Sequence, residues 1–273
     1  MKLADLHLHT HFSDGTWSPE ELAGHAAEQG LDAVALTDHD SVEGCPRMAA
    51  ACGARGIEFI PGAELTAEVD GQEVHILGYW LDLGSEPLIG ELHRFQAVRQ
   101  RRIHEMVTRL NENGVGLSAE LVRSIANCEA PGRLHVARAL VQQGYAKDHD
   151  HAFERFLRRG RPGFVPKARM SANDSVALIH AAGGVAVLAH PGLYRNDGLI
   201  PRLKEAGIDG LECWHTKHSE EDGAGYARRA GELDLVATGG SDCHGMAKGR
   251  PLIGKVRLPY AQVEALRARR PSA

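Results

Sequence analysis

Short, continuous apolar runs alternate with amphipathic stretches through most of this chain. Segment 2–8 alternates apolar and polar positions and predicts a strand. Ser18-Pro19-Glu20-Glu21 then supplies an N-cap, a proline at the first helical position and a capping-box glutamate, so a helix is expected from Pro19 to Gln29, stopping at Gly30. Asp32–Leu36 reads as a buried strand, followed by a helix over 45–54 and a strand at Ile57–Ile60. The order helix, glycine, strand recurs before Val185–Leu188 and Gly210–Cys213, and a helix over Glu220–Glu232 precedes the strand Leu235–Thr238. Unbroken apolar strands alternating with helices indicate an α/β protein with a parallel sheet covered on both faces, either a barrel or an open doubly wound sheet.

The rhythm breaks between 95 and 165. Ile103, Val107 and Leu110 share one helical face, further helices fit Leu134–Gln143 and Ala152–Arg158, and no strand stands between them. This segment is expected to be a helical insertion capping the active site, with 1–94 and 166–273 forming the sheet-bearing body. Pro162, Pro166 and Ser171-Ala172-Asn173-Asp174 mark the return.

Charge sharpens the division. Between Arg94 and Arg169 there are 15 Lys/Arg against 7 Asp/Glu, whereas the remainder carries 16 against 29. A basic segment on an acidic body is the pattern expected of a cation-collecting body whose insert faces an anion. The 273 residues suffice for a full core, and five cysteines without a C-x-x-C pair argue against disulfides and thiolate zinc, making a reducing cytoplasm the expected compartment. No signal peptide, no membrane span and no obligate protein partner are expected.

Chemistry-bearing residues recur where the strands end: Asp5-Leu6-His7-Leu8-His9, Ser13-Asp14-Gly15, Thr37-Asp38-His39-Asp40, Gly62-Ala63-Glu64, Glu73-Val74-His75, Ala189-His190-Pro191 and Ser241-Asp242-Cys243-His244. Residues two apart on a strand share a face, so His7 and His9 are expected to point together, as are Asp242 and His244 if that stretch is extended. Imidazole with carboxylate and no thiolate suits Mn²⁺, Fe²⁺ or Zn²⁺, and strand ends are the working face of parallel α/β folds. Of the 16 histidines, His25, His93, His104, His149, His151 and His180 lie on predicted helices or turns and read as bystanders; His11, His215 and His218 stay ambiguous.

These ordered motifs resemble the PHP (polymerase and histidinol phosphatase) family in its freestanding phosphoesterase branch. The resemblance implies a distorted (β/α)₇ TIM-like barrel with a trinuclear metal site. On that pattern His7, His9, Glu64 and Asp242 hold one ion, Glu64, His75 and His190 a second with Glu64 bridging, and Asp14, His39 and His244 a third; Mn²⁺ is the first expectation. In the insert, Gly132-Arg133-Leu134-His135-Val136-Ala137, Ala152–Leu157 and Phe164-Val165-Pro166 are similar to members that hydrolyse nucleoside 3′,5′-bisphosphates, some of which also trim short RNA from its 5′ end.

The expected reaction is hydrolysis of a phosphomonoester of a small nucleotide by a metal-bridging hydroxide, with Glu64, His190 and Asp242 as catalytic residues through the ions they hold. Arg133 is the first candidate to grip a phosphate, since a guanidinium fork matches phosphate oxygens in pairs; His135, Lys167 and His218 follow. Competing readings are a 5′–3′ exonuclease on short oligonucleotides, a histidinol-phosphate-type phosphatase, an amide or lactone hydrolase, and a non-enzymatic metal-binding regulatory module.

Overall fold

The computed structural model describes residues 2–167, 169–247 and 249–271. Along the chain run β1 (Leu3–Asp5), α1 (Pro19–Glu28), β2 (Ala33–Leu36), α2 (Cys45–Gly53), β3 (Glu58–Val69), β4 (Gln72–Tyr79), α3 (Glu86–Glu112), α4 (Ala119–Ala126), α5 (Arg133–Gln142) and α6 (His149–Ala152). They are followed by β5 (Met170–Ser171), α7 (Ala172–Ala181), β6 (Val185–Leu188), α8 (Leu199–Glu205), β7 (Gly210–His215), α9 (Glu220–Glu232), β8 (Val236–Gly240), β9 (Leu258–Pro259) and α10 (Tyr260–Arg267).

The strands form one sheet in the order β8-β7-β6-β4-β3-β2-β1-β9, with β5 paired to β3. The sheet curls on itself: Leu6 N–H donates to the Gly239 carbonyl at 3.3 Å, and Leu8 bridges Cys243 in parallel, so β1 and β8 close a distorted barrel of seven staves. β9 pairs antiparallel with the start of β1, and α10 follows it. Alternate residues along the strands serve two layers. Ala33, Ala35, Ile60, Leu77, Val185 and Val187 cluster with Val263 and Leu266 of α10, while Val34, Leu36, Ala186 and Leu188 pack with apolar residues of α1, α2 and α7.

One stave departs from the parallel pattern that the apolar runs suggested. β3 continues past Ile60 to Val69, turns at Asp70-Gly71, and returns as β4, which is antiparallel to both β3 and β6. Asp70 and Gly71 have φ of 51° and 77°, the left-handed pair that a two-residue hairpin turn requires. Because β4 is inverted, its first residues lie where the other staves end, and it finishes with Tyr79 paired to Val185, the first residue of β6.

From there α3 runs 27 residues, about 40 Å at 1.5 Å per residue. Its start is buried in the barrel's helical layer through Leu88 and Leu92; its second half, through Ile103, Val107 and Leu110, enters a separate apolar cluster that includes Val122, Val136, Leu140, Phe156 and Val165. No helix among the described residues is long and apolar enough to cross a membrane.

Candidate metal centre

Past β1 the chain stays extended, with Thr37 N–H donating to the Leu8 carbonyl, so Leu6 and Leu8 enter the core while His7 and His9 face the barrel mouth. Glycine makes the closure possible: a Cβ on Gly240 would stand 2.2 Å from the Cβ of His7. The following loop is folded around Asp38, whose carboxylate accepts from Thr10 N–H (2.7 Å), Thr10 Oγ1 (2.6 Å) and Ser13 Oγ (2.6 Å). The turn is tight enough that a Cβ on Gly15 would meet the His9 carbonyl oxygen at 2.7 Å. Asp14 is thereby turned back toward His244 Nε2, 3.1 Å away.

Glu64, in the middle of β3, is the hub. Its Oε2 lies 3.2 Å from His7 Nε2, 3.3 Å from His9 Nε2 and 3.1 Å from His39 Nδ1; its Oε1 lies 2.6 Å from His75 Nδ1 and 3.1 Å from His190 Nε2. His75 does not follow a strand, as its run suggested, but sits within β4 opposite Thr66, and reaches the mouth because that stave is inverted. Asp242 Oδ1 is 3.3 Å from His9 Nε2 and 3.4 Å from His244 Nδ1. The stretch carrying Asp242 and His244 is not extended, since Asp242 has φ 53°; the turn nevertheless brings both side chains to the mouth.

All nine candidate ligands therefore converge. Three groups offer donor atoms within 4.8 Å of one another: His9, Asp14, His39 and His244; His7, His9 and Asp242; His39, Glu64 and His75. Five imidazoles around one buried carboxylate cannot all donate to it. Both ring nitrogens of His9, His39 Nδ1, His190 Nδ1 and Asp14 Oδ1 are buried with no hydrogen-bond partner, a costly arrangement in a protein interior unless a cation takes the lone pairs. Burial holds the pKa of His39 well below normal and lowers that of His190, favouring the neutral form a metal requires; burial acts the same way on His7, His9 and His75, but the carboxylates beside them outweigh it and raise all three. Burial works against the Glu64 carboxylate, but the imidazoles gathered around it hold its pKa well below the usual range. The residues present fit a group of divalent cations.

Glu212, in the apolar run of β7, went unnoticed in the sequence. It is fully buried; Oε1 lies 2.9 Å from His7 Nδ1 and Oε2 accepts the His190 N–H at 2.7 Å. His215 Nε2 approaches Asp242 Oδ2 at 3.5 Å, and Tyr194 Oη accepts the His75 N–H at 2.8 Å. A carboxylate inside an otherwise apolar strand was the available signal for Glu212.

Beside the ligands opens a cleft of about 190 Å³, lined on one side by Asp14, His39 and His75 and on the other by Arg99, Arg102, Arg133, Phe153 and Lys167. Arg133 lies over the Phe153 ring, 5.9 Å from its centroid. Arg99 is buried and its Nε donates to Asp40 Oδ2 at 2.9 Å; Arg102 Nε donates to the Val165 carbonyl at 3.0 Å. Burial, with the neighbouring guanidiniums of Arg133 and Arg99, pushes Arg102 down to about 10; burial and Arg99 push Lys167 down to about 8. Lys167 Nζ is 3.6 Å from Glu73. Arg99 and Arg102, three apart on α3, share the helix face toward the cleft.

Two other residues expected to touch substrate are occupied elsewhere. His135 caps α5, its Nδ1 accepting the Gly132 N–H at 3.0 Å, and burial pushes its pKa down to about 4. His218 braces β7 against the turn after His190, with Nδ1 2.8 Å from the Cys213 carbonyl and Nε2 accepting the Gly192 N–H at 3.1 Å. Neither lines the cleft. His11 lies against the Trp17 carbonyl, and His25 and His180 lie against Glu28 and Asp209.

A barrel with this ligand set at its mouth and a basic wall across the cleft defines a metal-dependent phosphoesterase, and comparison with known proteins agrees. The chain belongs to the PHP domain family, whose model matches residues 5–161. It is 36% identical over 256 residues to a 3′,5′-nucleoside bisphosphate phosphatase of Chromobacterium violaceum, covering 92% of this chain and 90% of that protein. It is 35% identical over 248 residues to a 5′-3′ exoribonuclease of Haemophilus influenzae, covering 89% and 90%. A solved structure from Bifidobacterium adolescentis, described as a candidate metal-dependent phosphoesterase, superposes with a TM-score of 0.90 at 31% identity, covering 98% of this chain and 96% of that one.

Proposed function

We propose that this enzyme hydrolyses the 3′-phosphate of nucleoside 3′,5′-bisphosphates. The observation that carries the reading is the pairing, across one cleft, of a ligand-rich mouth with four clustered cations from the insert and its C-terminal flank. A substrate with one phosphate fills one side; a substrate with two fills both. Arg133 presents a guanidinium beside the Phe153 ring, Arg99 is held by Asp40, and Lys167 and Arg102 add charge, so the second phosphate meets donors already in position.

We assign three ions, Mn²⁺ first among the metals this donor set suits: one at His7, His9, Glu64 and Asp242, one at Glu64, His75 and His190, and one at Asp14, His39 and His244. Ions held there lower the pKa of water toward neutrality and offset charge developing on the phosphoryl group. Glu64, His190 and Asp242 are catalytic through this role: neutral imidazoles and ionised carboxylates of fixed position keep the reacting phosphate in one orientation. The free cysteines Cys45, Cys52, Cys128, Cys213 and Cys243 fit a reducing cytoplasm.

The same cation wall supports a second reading, in which it grips an internucleotide phosphate and the enzyme shortens oligoribonucleotides. A panel on protein of measured metal content separates the readings. Nucleoside 3′,5′-bisphosphate should show the highest kcat/KM, above nucleoside monophosphate, histidinol phosphate and a 5′-phosphorylated oligoribonucleotide. Equal or better turnover of a one-phosphate substrate defeats the proposal, and preference for the oligonucleotide selects the second reading.

A further inference from the structure

We propose that Glu212 is a positioning residue for the metal centre: its single carboxylate sets the ring orientation and tautomer of His7 and fixes the backbone that carries His190. The inference rests on the ligand assignment above and extends it to a side chain that touches no ion.

Glu212 stands on β7, one residue past Leu211, whose register partner is Leu188 of β6. It joins three parts of the barrel that only tertiary structure brings together. Oε1 lies 2.9 Å from His7 Nδ1, and a carboxylate can only accept, so the His7 proton resides on Nδ1. Nε2 faces Glu64 Oε2 at 3.2 Å and Asp242 Oδ1 at 3.7 Å, the side on which the ligands converge, and in the neutral ring that a cation would bind it is the nitrogen left bare. Oε2 accepts the His190 N–H at 2.7 Å. That residue needs an anchor: it has φ 31° and ψ 57°, left-handed backbone, immediately before Pro191. With the backbone held, His190 Nε2 reaches Glu64 Oε1 at 3.1 Å.

Both partners of Glu212 are donors. Glutamine has the same shape but one accepting and one donating end, so in Glu212→Gln either the His190 N–H loses its acceptor or His7 must move its proton to Nε2, the atom that would bind a cation. The ions served by His7 and His190 should weaken, whereas the group Asp14, His39 and His244 has no contact with Glu212 and should keep its ion. A merely structural role predicts no such selectivity.

The test is chelator competition on full-length protein loaded with Mn²⁺, counting ions per chain, alongside melting of the metal-free forms. Asp14→Ala identifies the step that belongs to the third group. Glu212→Gln should melt as the wild type does when metal-free, release the ions of the other groups about 10- to 100-fold more readily, and retain the third step unchanged. Wild-type release at every step, or equal weakening of all steps, overturns the proposal. Should Glu212→Gln fail to fold, the wild type loaded with Zn²⁺ decides through the imidazole ¹⁵N resonances of His7, located by their loss in His7→Gln. A protonated Nδ1 upholds the assignment and a protonated Nε2 refutes it. Wild-type protein that binds no divalent ion brings down the metal reading itself, an outcome distinct from normal binding that ignores Glu212.

Discussion

The barrel mouth and the basic wall face each other across one cleft, yet they are built on opposite plans. At the mouth, nearly every candidate ligand is held by backbone geometry close to it in sequence or by a buried hydrogen bond: Asp38 folds the loop bearing His9 and Asp14, and Glu212 ties His7 to His190. Across the cleft, Arg99, Arg102 and Arg133 sit on helices and Lys167 on the irregular stretch before β5, and their positions depend on how this segment docks. Among the described residues its most deeply buried tie into the barrel's loops is the Arg99–Asp40 ion pair, with Asp40 also accepting from Thr66 N–H at 2.9 Å, and the part-buried Arg138 Nη2 donates to the Asp14 carbonyl at 2.9 Å. The mouth is organised to hold a rigid charge array and the wall to recognise what is brought to it.

The sharpest way to break this contrast is at the mouth. His9→Ala removes a residue shared by two donor groups and should lower kcat/KM by about 10³-fold or more, roughly 4 kcal/mol of transition-state stabilisation. Metal content should fall with it while the circular dichroism spectrum stays that of the wild type. Full activity in metal-depleted His9→Ala protein would remove the metal from the mechanism.

Next comes the tie between the regions. Asp40→Asn leaves the Arg99 guanidinium buried without its counter-charge, which should cost about 3–5 kcal/mol of stability, read by denaturant unfolding. A loss confined within 1 kcal/mol, by the same measurement, means that water reaches Arg99 and the pair is not the anchor.

At the wall, Arg133→Ala should spare metal content and raise KM for a two-phosphate substrate by roughly 10- to 100-fold, the worth of one charge-assisted contact, with a much smaller change for a one-phosphate substrate. Equal changes for both would take Arg133 out of the recognition of a second phosphate.

The smallest effect is in pH. Burial and Arg99 push Lys167 from the ordinary 10.5 down to about 8, so its charge is present at pH 7 and lost as pH rises through about 8. Affinity for a two-phosphate substrate should decline severalfold between pH 7 and pH 9, and this decline should vanish in Lys167→Met. The same shift acts on folding with a definite sign: between about 8 and 10.5 the unfolded chain binds the proton that the folded chain has released, so this group's contribution to stability rises with pH across that window.

The two regions also differed in how much of them could be read beforehand. Ligand motifs are short and local, so His7, His9, Glu64, His190 and Asp242 stand out with their flanking residues; α1, with its strong end signal Ser18-Pro19, lies within a residue of expectation, and so does α9. The reversal of β4 was masked because its apolar stretch Ile76-Leu77-Gly78-Tyr79 reads alike in a parallel or an antiparallel stave; the signal for it was Asp70-Gly71. On the wall, Arg99 and Arg102 carry no local motif, and nothing in a helical period tells which polar face another layer will cover. His135 and His218 carried suggestive chemistry but were taken up by backbone groups, a fate settled by tertiary contacts.

The inverted stave has a further consequence. Reversing β4 leaves the chain at the wrong end of the barrel, and α3 must run back along the barrel before Arg99, midway along it, can contribute to the mouth. The helix thus works as a ruler: each residue added or removed between Leu92 and Arg99 would shift the guanidiniums by about 1.5 Å and swing them by about 100°. Diversity among such enzymes is therefore expected to accumulate beyond the top of this helix, where the insert is free to vary without disturbing the distance from Arg99 and Arg102 to the ligands.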